Sequence, residues 1–184
     1  MLILAWAHRS RTPWREMGYV RPKSWIRTVA VGVAFGVAFK LMMKSVVMPL
    51  LGADPVNHAY HFLAGNTAVI PGFVVTMLVN AGFVEETLYR GFLFERLGKG
   101  IGRGWGAKAF TVLLTSALFG AAHYPEQGLA GVQQAAIVGL VFGAIFANTG
   151  RIGMVMVAHA AFDLAALWII YWDLEARVAH FFFR

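Results

Sequence analysis

The sequence predicts an all-α fold, a polytopic bundle of about five to six transmembrane helices that encloses a water-accessible polar cavity. Hydrophobic residues make up 59% of the 184 residues and charged residues 14%, which is too apolar a composition for the surface of a soluble domain. The apolar residues are gathered into long runs that a few ionisable residues interrupt. A charge at membrane depth is costly unless it faces a partner or water, so these residues indicate a polar interior. We expect residues 1–184 to form one membrane-embedded domain.

Residues 1–24 are predicted to form an interfacial segment that faces the cytoplasm. This segment has no cleavable apolar region after its charges, so it does not have the pattern of a secretory signal. Its basic residues and tryptophans are Arg9, Arg11, Arg15, Arg21, Lys23, Trp6 and Trp14.

Five apolar runs come close to the roughly 20 residues that a spanning helix needs. They cover residues 27–51, 67–97, 108–124, 129–148 and 153–173. The first run contains Lys40 and Lys44, which either snorkel to the interface or line the interior, and snorkelling is the favoured interpretation. The second run exceeds the hydrocarbon thickness if it is one helix. We expect it to tilt, to break near Pro71–Gly72 or to continue beyond the membrane.

Basic residues mark alternate connections between the runs. Lys or Arg occurs in the N-terminal segment, in residues 98–108 and in residues 149–152, but not in residues 52–66 or 125–128. Basic residues favour the cytoplasmic side, so we predict a multi-pass protein of the cell membrane with a cytoplasmic N-terminus. The net charge of +7 follows from this topology. No nucleic-acid partner is expected, because the apolar composition leaves little polar surface for a nucleic-acid groove.

Six polar residues lie in these runs or at their ends, where a helix surrounded by lipid would not place them. They are Glu85, Glu86, Arg90, His123, His159 and Asp163. Residues four apart share one face of a helix, which makes Glu86 a neighbour of Arg90 and His159 a neighbour of Asp163. At about 1.5 Å per residue from the cytoplasmic ends, the acids and histidines fall near one level of the bilayer. We therefore expect residues 85–163 to be the core that carries a common site.

Each of these features also has a structural interpretation. Glu86 and Arg90 would form a buried ion-paired clamp between helices. His123 would cap a helix end near the interface, and His159 with Asp163 would form a hydrogen-bonded pair that binds no ligand. The shared depth favours one site over three separate structural roles.

A carboxylate and an imidazole around one water molecule form a hydrolytic site, in which the carboxylate takes a proton from the water. Arg90 is expected to hold Glu86 as a carboxylate, which leaves Glu85 as the less neutralised base. His159 is expected to donate to a developing oxyanion, with Asp163 fixing its tautomer. These residue types therefore favour hydrolysis.

The same residues form three ordered motifs, which are Glu-Glu-x-x-x-Arg at 85–90, Phe-x-x-x-His at 119–123 and His-x-x-x-Asp at 159–163. In this order the motifs resemble those of the CPBP family, which comprises the CAAX prenyl endopeptidases and the bacterial Abi-type, bacteriocin-processing membrane proteases. The resemblance implies an intramembrane endopeptidase in which Glu85 and His123 activate water. The other implied roles are oxyanion stabilisation for His159 and Asp163, and orientation for Glu86 and Arg90.

The sequence departs from the family pattern in two respects. Asp163 stands where characterised prenyl endopeptidases have Asn, and an ionised carboxylate there would repel an oxyanion. The five apolar runs are also fewer than the spans that family members commonly have.

The residue types do not decide whether the site needs a metal ion. Glu85, His123 and His159 would provide the three protein ligands of a catalytic zinc ion, but no His-Glu-x-x-His motif is present. We favour a metal-free site that requires no cofactor.

The expected partners are the lipid bilayer and a hydrophobic or lipidated peptide. Two other functions remain open, a catalytically silent bacteriocin self-immunity or binding protein of the same fold and a small proton-coupled transporter.

Overall fold

The computed structural model describes residues 2–183, which are mostly helical and contain no strand. The helices are α1 (Leu2–Arg9), α2 (Trp25–Leu50), α3 (residues 70–101), α4 (Trp105–Ala122), α5 (Tyr124–Thr149), α6 (Gly153–Tyr171) and α7 (Glu175–Ala179). Within the described range, α2, α4, α5 and α6 are long and apolar enough to cross a membrane. Each of the five apolar runs corresponds to one helix from α2 to α6, and the prediction of a polytopic helical bundle is confirmed.

Helix α3 carries the first motif and is continuous, so the second apolar run does not break at Pro71–Gly72. Pro71 lies in the first turn of α3, where its missing N–H removes no intrahelical hydrogen bond. The middle of α3 has i→i+5 hydrogen bonding in two stretches, Met77–Glu85 and Thr87–Leu93. This wide helical form is frequent at functional sites. Here its two stretches contain Glu85 and Arg90, and Glu86 lies between them.

Glycines allow the closest approaches between helices. A Cβ placed on Gly36 of α2 would lie 2.2 Å from the carbonyl oxygen of Ala158 in α6. A Cβ on Gly139 of α5 would lie 2.9 Å from the Cα of Ser116 in α4. Small residues at such positions let helix backbones pack directly against each other. The spaced glycines of α2 and α5 therefore serve packing within the chain.

The N-terminal segment packs against the second half of α3. The hydroxyl groups of Tyr19 and Thr87 are 2.6 Å apart, and the Lys99 ammonium lies 3.1 Å from a carboxylate oxygen of Glu16. The rings of Trp6 and Phe92 meet edge to face with centroids 5.0 Å apart. These contacts fix the helix that carries the motif from outside the bundle.

The two lysines of α2 are buried, and the favoured interpretation that they snorkel is wrong. Lys40 Nζ donates to Gln134 Oε1 at 3.0 Å. Lys44 Nζ lies 3.1 Å from Glu175 Oε1 and donates to the Pro55 carbonyl at 2.6 Å. Both ammonium groups turn inward because acceptors from α5, from α7 and from the loop after α2 meet them there.

We expect Gly36→Ala to lower the free energy of unfolding by about 1–3 kcal/mol, because the added methyl group forces α2 and α6 apart. Denaturant titration in detergent micelles measures this loss. Gly106→Ala in α4 is the matched control, since nothing lies within 4 Å of its added Cβ. The control is expected to be neutral or slightly stabilising. Equal destabilisation by both substitutions would contradict the packing described here.

Candidate active site

A cavity of about 700 Å³ lies among α2, α3, α5, α6 and the junction of α4 with α5. Its lining includes Glu85, His123, His159 and Asp163. Glu85 and Asp163 thus line the same cavity, although they are 78 residues apart in the sequence. The predicted convergence of the three motifs on a polar cavity agrees with this arrangement.

Glu86 accepts two short hydrogen bonds at a single oxygen atom. Its Oε1 lies 2.7 Å from Arg90 Nη1 and 2.6 Å from His159 Nδ1. Arg90 also donates through Nη2 to the Gly139 carbonyl at 3.3 Å. The side chains of Glu86 and Arg90 are 0% and 1% exposed, so this cluster is excluded from the cavity's solvent. The pair is therefore a buried clamp that joins α3, α5 and α6.

Two phenylalanines enclose this clamp. The Arg90 guanidinium lies 5.0 Å from the ring centroid of Phe119 and 5.8 Å from that of Phe142. The same two rings lie 5.7 Å and 5.5 Å from the imidazole of His159. Cation–π attraction helps to compensate the buried guanidinium for its lost hydration. Phe119 is the first residue of the second motif, which gives that position a packing role.

Glu85 has a different environment from its neighbour Glu86. Its side chain is 25% exposed, and its Oε2 lies 3.9 Å from His159 Nε2. The Asn80 amide nitrogen is 3.5 Å from Glu85 Oε1, which is a long contact between residues five apart on α3. Asn80 is not among the site residues that the sequence predicts, although it is an isolated amide in an apolar run. Of the two adjacent glutamates, Glu85 is thus the one that is exposed to the cavity.

His159 is held by a different residue from the one expected. Asp163 was expected to fix the His159 tautomer, but the Asp163 Oδ2 lies 3.7 Å from Nε2, beyond hydrogen-bond distance. Glu86 instead accepts from Nδ1, because α3 places its carboxylate directly beside the ring. The expectation about Asp163 is wrong, and the imidazole presents Nε2 to both Glu85 and Asp163.

His123 lies at the junction of α4 and α5, beyond the last residue of α4. Its Nδ1 is 2.7 Å from the Phe119 carbonyl oxygen. Because a carbonyl only accepts hydrogen bonds, Nδ1 carries the proton, and Nε2 of the neutral ring is free to accept one. His123 thus lies at a helix end, as expected for a capping residue. It also lines the cavity.

Tyr60 and Glu126 form part of the cavity wall near this junction. The Tyr60 hydroxyl donates to Glu126 Oε2 at 3.1 Å. Burial, with the hydrogen bond to Glu126, raises the pKa of Tyr60 to about 12. The hydroxyl therefore stays protonated near neutral pH and remains a hydrogen-bond donor.

The described residues were compared with the ligand set that a metal ion would need. Within residues 2–183, no group of three or more His, Cys, Asp or Glu side chains has a geometry that could hold a metal ion. Glu85, His123 and His159 therefore do not form such a group within this range. The preference for a metal-free site stays a prediction.

Comparison of the sequence with models of known protein families gives one match. The family model described as "Type II CAAX prenyl endopeptidase Rce1-like" matches residues 67–165. The match covers more than half of the 184 residues, and it includes all six polar residues of the three motifs. No curated protein and no solved structure gives a match.

Arg90→Leu is expected to lower the free energy of unfolding by about 3–5 kcal/mol, because it leaves the Glu86 charge buried without its cation. Denaturant titration in micelles checks this value. Lys99→Leu is the matched control on the same helix, since Lys99 is also four residues after its glutamate but its side chain is 45% exposed. A loss of under about 1 kcal/mol is expected there. Comparable losses for both would show that the Arg90 clamp is not a central contact.

Proposed function

We propose that this chain, which belongs to the Rce1-like family of type II CAAX prenyl endopeptidases, hydrolyses a peptide bond of a membrane-associated or lipidated peptide in the cavity. The observation that carries this proposal is that Glu85, His123 and His159 come from separate elements to line one hollow. The family supports an intramembrane protease in general. The roles of the individual residues are our inference from their contacts.

Glu85 and His123 would activate the attacking water. Glu85 is the glutamate that is exposed to the cavity. A neutral His123 ring carries its proton on Nδ1 and offers Nε2 as an acceptor. As the water oxygen attacks the peptide carbonyl carbon, its proton passes to this pair. The same proton is then delivered to the leaving amide nitrogen as the carbon–nitrogen bond breaks. Acid and base roles thus alternate on one side of the substrate.

His159 would stabilise the oxyanion from the other side. Glu86 fixes the ring through Nδ1, and Arg90 fixes Glu86. In the imidazolium form, Nε2–H is directed to the region between Glu85 and Asp163, where it donates to the oxyanion. Glu86 and Arg90 are positioning residues, since they act on the substrate through His159. No step in this scheme requires a metal.

The substrate class follows from where the cavity lies. Its walls include α2, α5 and α6, which are long and apolar enough to cross a membrane, so a peptide with a lipid or hydrophobic end would enter from the bilayer. The distribution of basic residues supports a cell-membrane protein with its N-terminus in the cytoplasm.

Glu85→Gln is expected to reduce hydrolysis of a prenylated peptide by about 10²-fold or more, because the amide cannot take the proton from water. The protein should remain folded, since Glu85 makes no buried ion pair at hydrogen-bond distance. Cleavage is measured by mass spectrometry with the protein in lipid nanodiscs. Glu126→Gln is the control, because it makes the same change elsewhere on the cavity wall and should retain cleavage.

The outcome of the Glu85→Gln test also separates the other two functions. A catalytically silent immunity or binding protein would keep its protection after the substitution. A proton-coupled transporter would lose pH-dependent flux while never having cleaved a peptide. Full cleavage by Glu85→Gln would contradict the proposed mechanism.

Asp163→Asn is expected to retain cleavage. The Asp163 carboxylate makes no hydrogen bond to His159, and the amide removes a negative charge that would repel the oxyanion. The turnover number for the same prenylated peptide tests this. A loss as large as that of Glu85→Gln would show that the Asp163 charge itself takes part in proton transfer.

A further inference from the structure

A second cavity, of about 530 Å³, lies where α3 and α5 end and α4 begins, and residues of the N-terminal segment complete its wall. Within residues 2–183, no residue lines both this cavity and the one that contains Glu85. Helices α4 and α5 are long and apolar enough to cross a membrane, so their ends reach the membrane surface. Trp105, the first residue of α4, is 87% exposed, which is typical of tryptophan at the interface between lipid and water. The second cavity therefore lies at the level of the lipid headgroups.

The acidic residues in the wall of the second cavity already have partners. Glu95, whose side chain is 0% exposed, pairs with Arg96 and Lys99. The Lys99 ammonium also lies 3.1 Å from Oε2 of Glu16, and Arg103 Nη2 lies 3.9 Å from the same oxygen atom. The negative charges of this wall are thus neutralised by basic residues of the chain itself.

Two basic residues of the same wall, Arg15 and Lys108, remain without such a partner. For either of them, no carboxylate oxygen within residues 2–183 lies inside the 4.0 Å limit of an ion pair. Both residues are exposed, so a group at the membrane surface can reach them. Positive charges held around one hollow repel each other, and an anion between them would turn this repulsion into attraction. The second cavity therefore has a surplus of positive charge.

We propose that the second cavity binds the phosphate group of an anionic phospholipid, with Arg15, Arg103 and Lys108 as its ligands. A guanidinium donates paired hydrogen bonds to phosphate oxygens, and an ammonium adds a compact positive charge. Basic pockets between membrane helices suit anionic headgroups for this reason. This inference concerns a site apart from the hydrolytic residues, so it does not rest on the proposed function.

The apolar part of the wall favours a lipid over a free phosphate ion. Phe94 and Phe146 line the second cavity, and their rings meet edge to face with centroids 5.1 Å apart. The glycerol and the first methylene groups of a phospholipid would be removed from water against these rings, whereas inorganic phosphate has no apolar part to bury. The bound phosphate would join the N-terminal segment to α4 and so hold this segment against α3.

The test measures lipid binding to the wild-type protein in detergent micelles. Short-chain phosphatidylglycerol, short-chain phosphatidylcholine and inorganic phosphate are titrated separately, and native mass spectrometry gives the number of bound molecules and the Kd. We expect one molecule of phosphatidylglycerol to bind in a saturable manner. Its Kd should be at least about 10-fold lower than that of phosphatidylcholine, whose choline cancels the phosphate charge. Inorganic phosphate should also bind at least about 10-fold more weakly, because it buries no apolar surface.

Two variants test the named ligands. Arg15→Gln and Lys108→Gln are each expected to weaken phosphatidylglycerol binding by about 5-fold, which is the usual contribution of one cation near an anionic headgroup. Lys108→Arg should retain most of the affinity. Arg27→Gln is the matched control, because it removes a positive charge near the start of another spanning helix but outside the wall of the second cavity. Its affinity for phosphatidylglycerol should be unchanged.

Three results would overturn the proposal. Equal affinity for phosphatidylglycerol and phosphatidylcholine, or for phosphatidylglycerol and inorganic phosphate, would show that no anionic lipid is selected. An equal loss in Arg27→Gln would show a general attraction between basic residues and the membrane surface.

The third result concerns the helix ends, since basic residues also suit the negative C-terminal ends of α3 and α5. If Lys108→Gln and Arg15→Gln lower the free energy of unfolding but leave the Kd for phosphatidylglycerol unchanged, these residues serve the helix ends alone. The comparison of the three compounds on the wild-type protein needs no variant, so it remains decisive if a variant fails to fold.

Discussion

One buried oxygen atom, Oε1 of Glu86, organises the polar interior of this membrane protein. It accepts hydrogen bonds from Arg90 on its own helix and from His159 on α6. Arg90 in turn reaches the backbone of α5 at Gly139. Removing these charges from water costs several kcal/mol per ion unless geometry and additional hydrogen bonds compensate. The arrangement is thus strongly constrained, and the position of the His159 ring at the cavity depends on it.

The constraint gives two adjacent glutamates different tasks. Glu86 is fully buried and committed to holding His159, whereas Glu85 reaches the cavity and has no hydrogen-bonded cation. Neighbouring carboxylates with unlike environments are a common way to divide acid–base roles. On the α2 side of the same cavity, Lys40 supplies a positive charge with a neutral partner. The cavity wall therefore carries an acid at Glu85 and a cation at Lys40.

Much of this arrangement could be predicted from local patterns. The apolar runs located the helices, and the spacing of four residues correctly paired Glu86 with Arg90, because both signals depend on a few neighbouring residues. Contacts between distant helices could not be predicted in this way. The sequence paired His159 with Asp163, but the structure pairs it with Glu86, 73 residues away. The inward direction of Lys40 likewise depends on Gln134 of another helix, so composition alone favoured the opposite orientation.

The contact between Glu86 and His159 is the most direct place to test this account. Solid-state NMR on the protein in lipid bilayers, with ¹³C in glutamate and aspartate side chains and ¹⁵N in histidine rings, measures the dipolar coupling between Glu86 Cδ and His159 Nδ1. A separation of 2.6 Å between Oε1 and Nδ1 predicts a strong coupling that disappears in Glu86→Gln. A His159 Nδ1 that shows no coupling to Glu86, or that couples to Asp163 instead, would contradict the account.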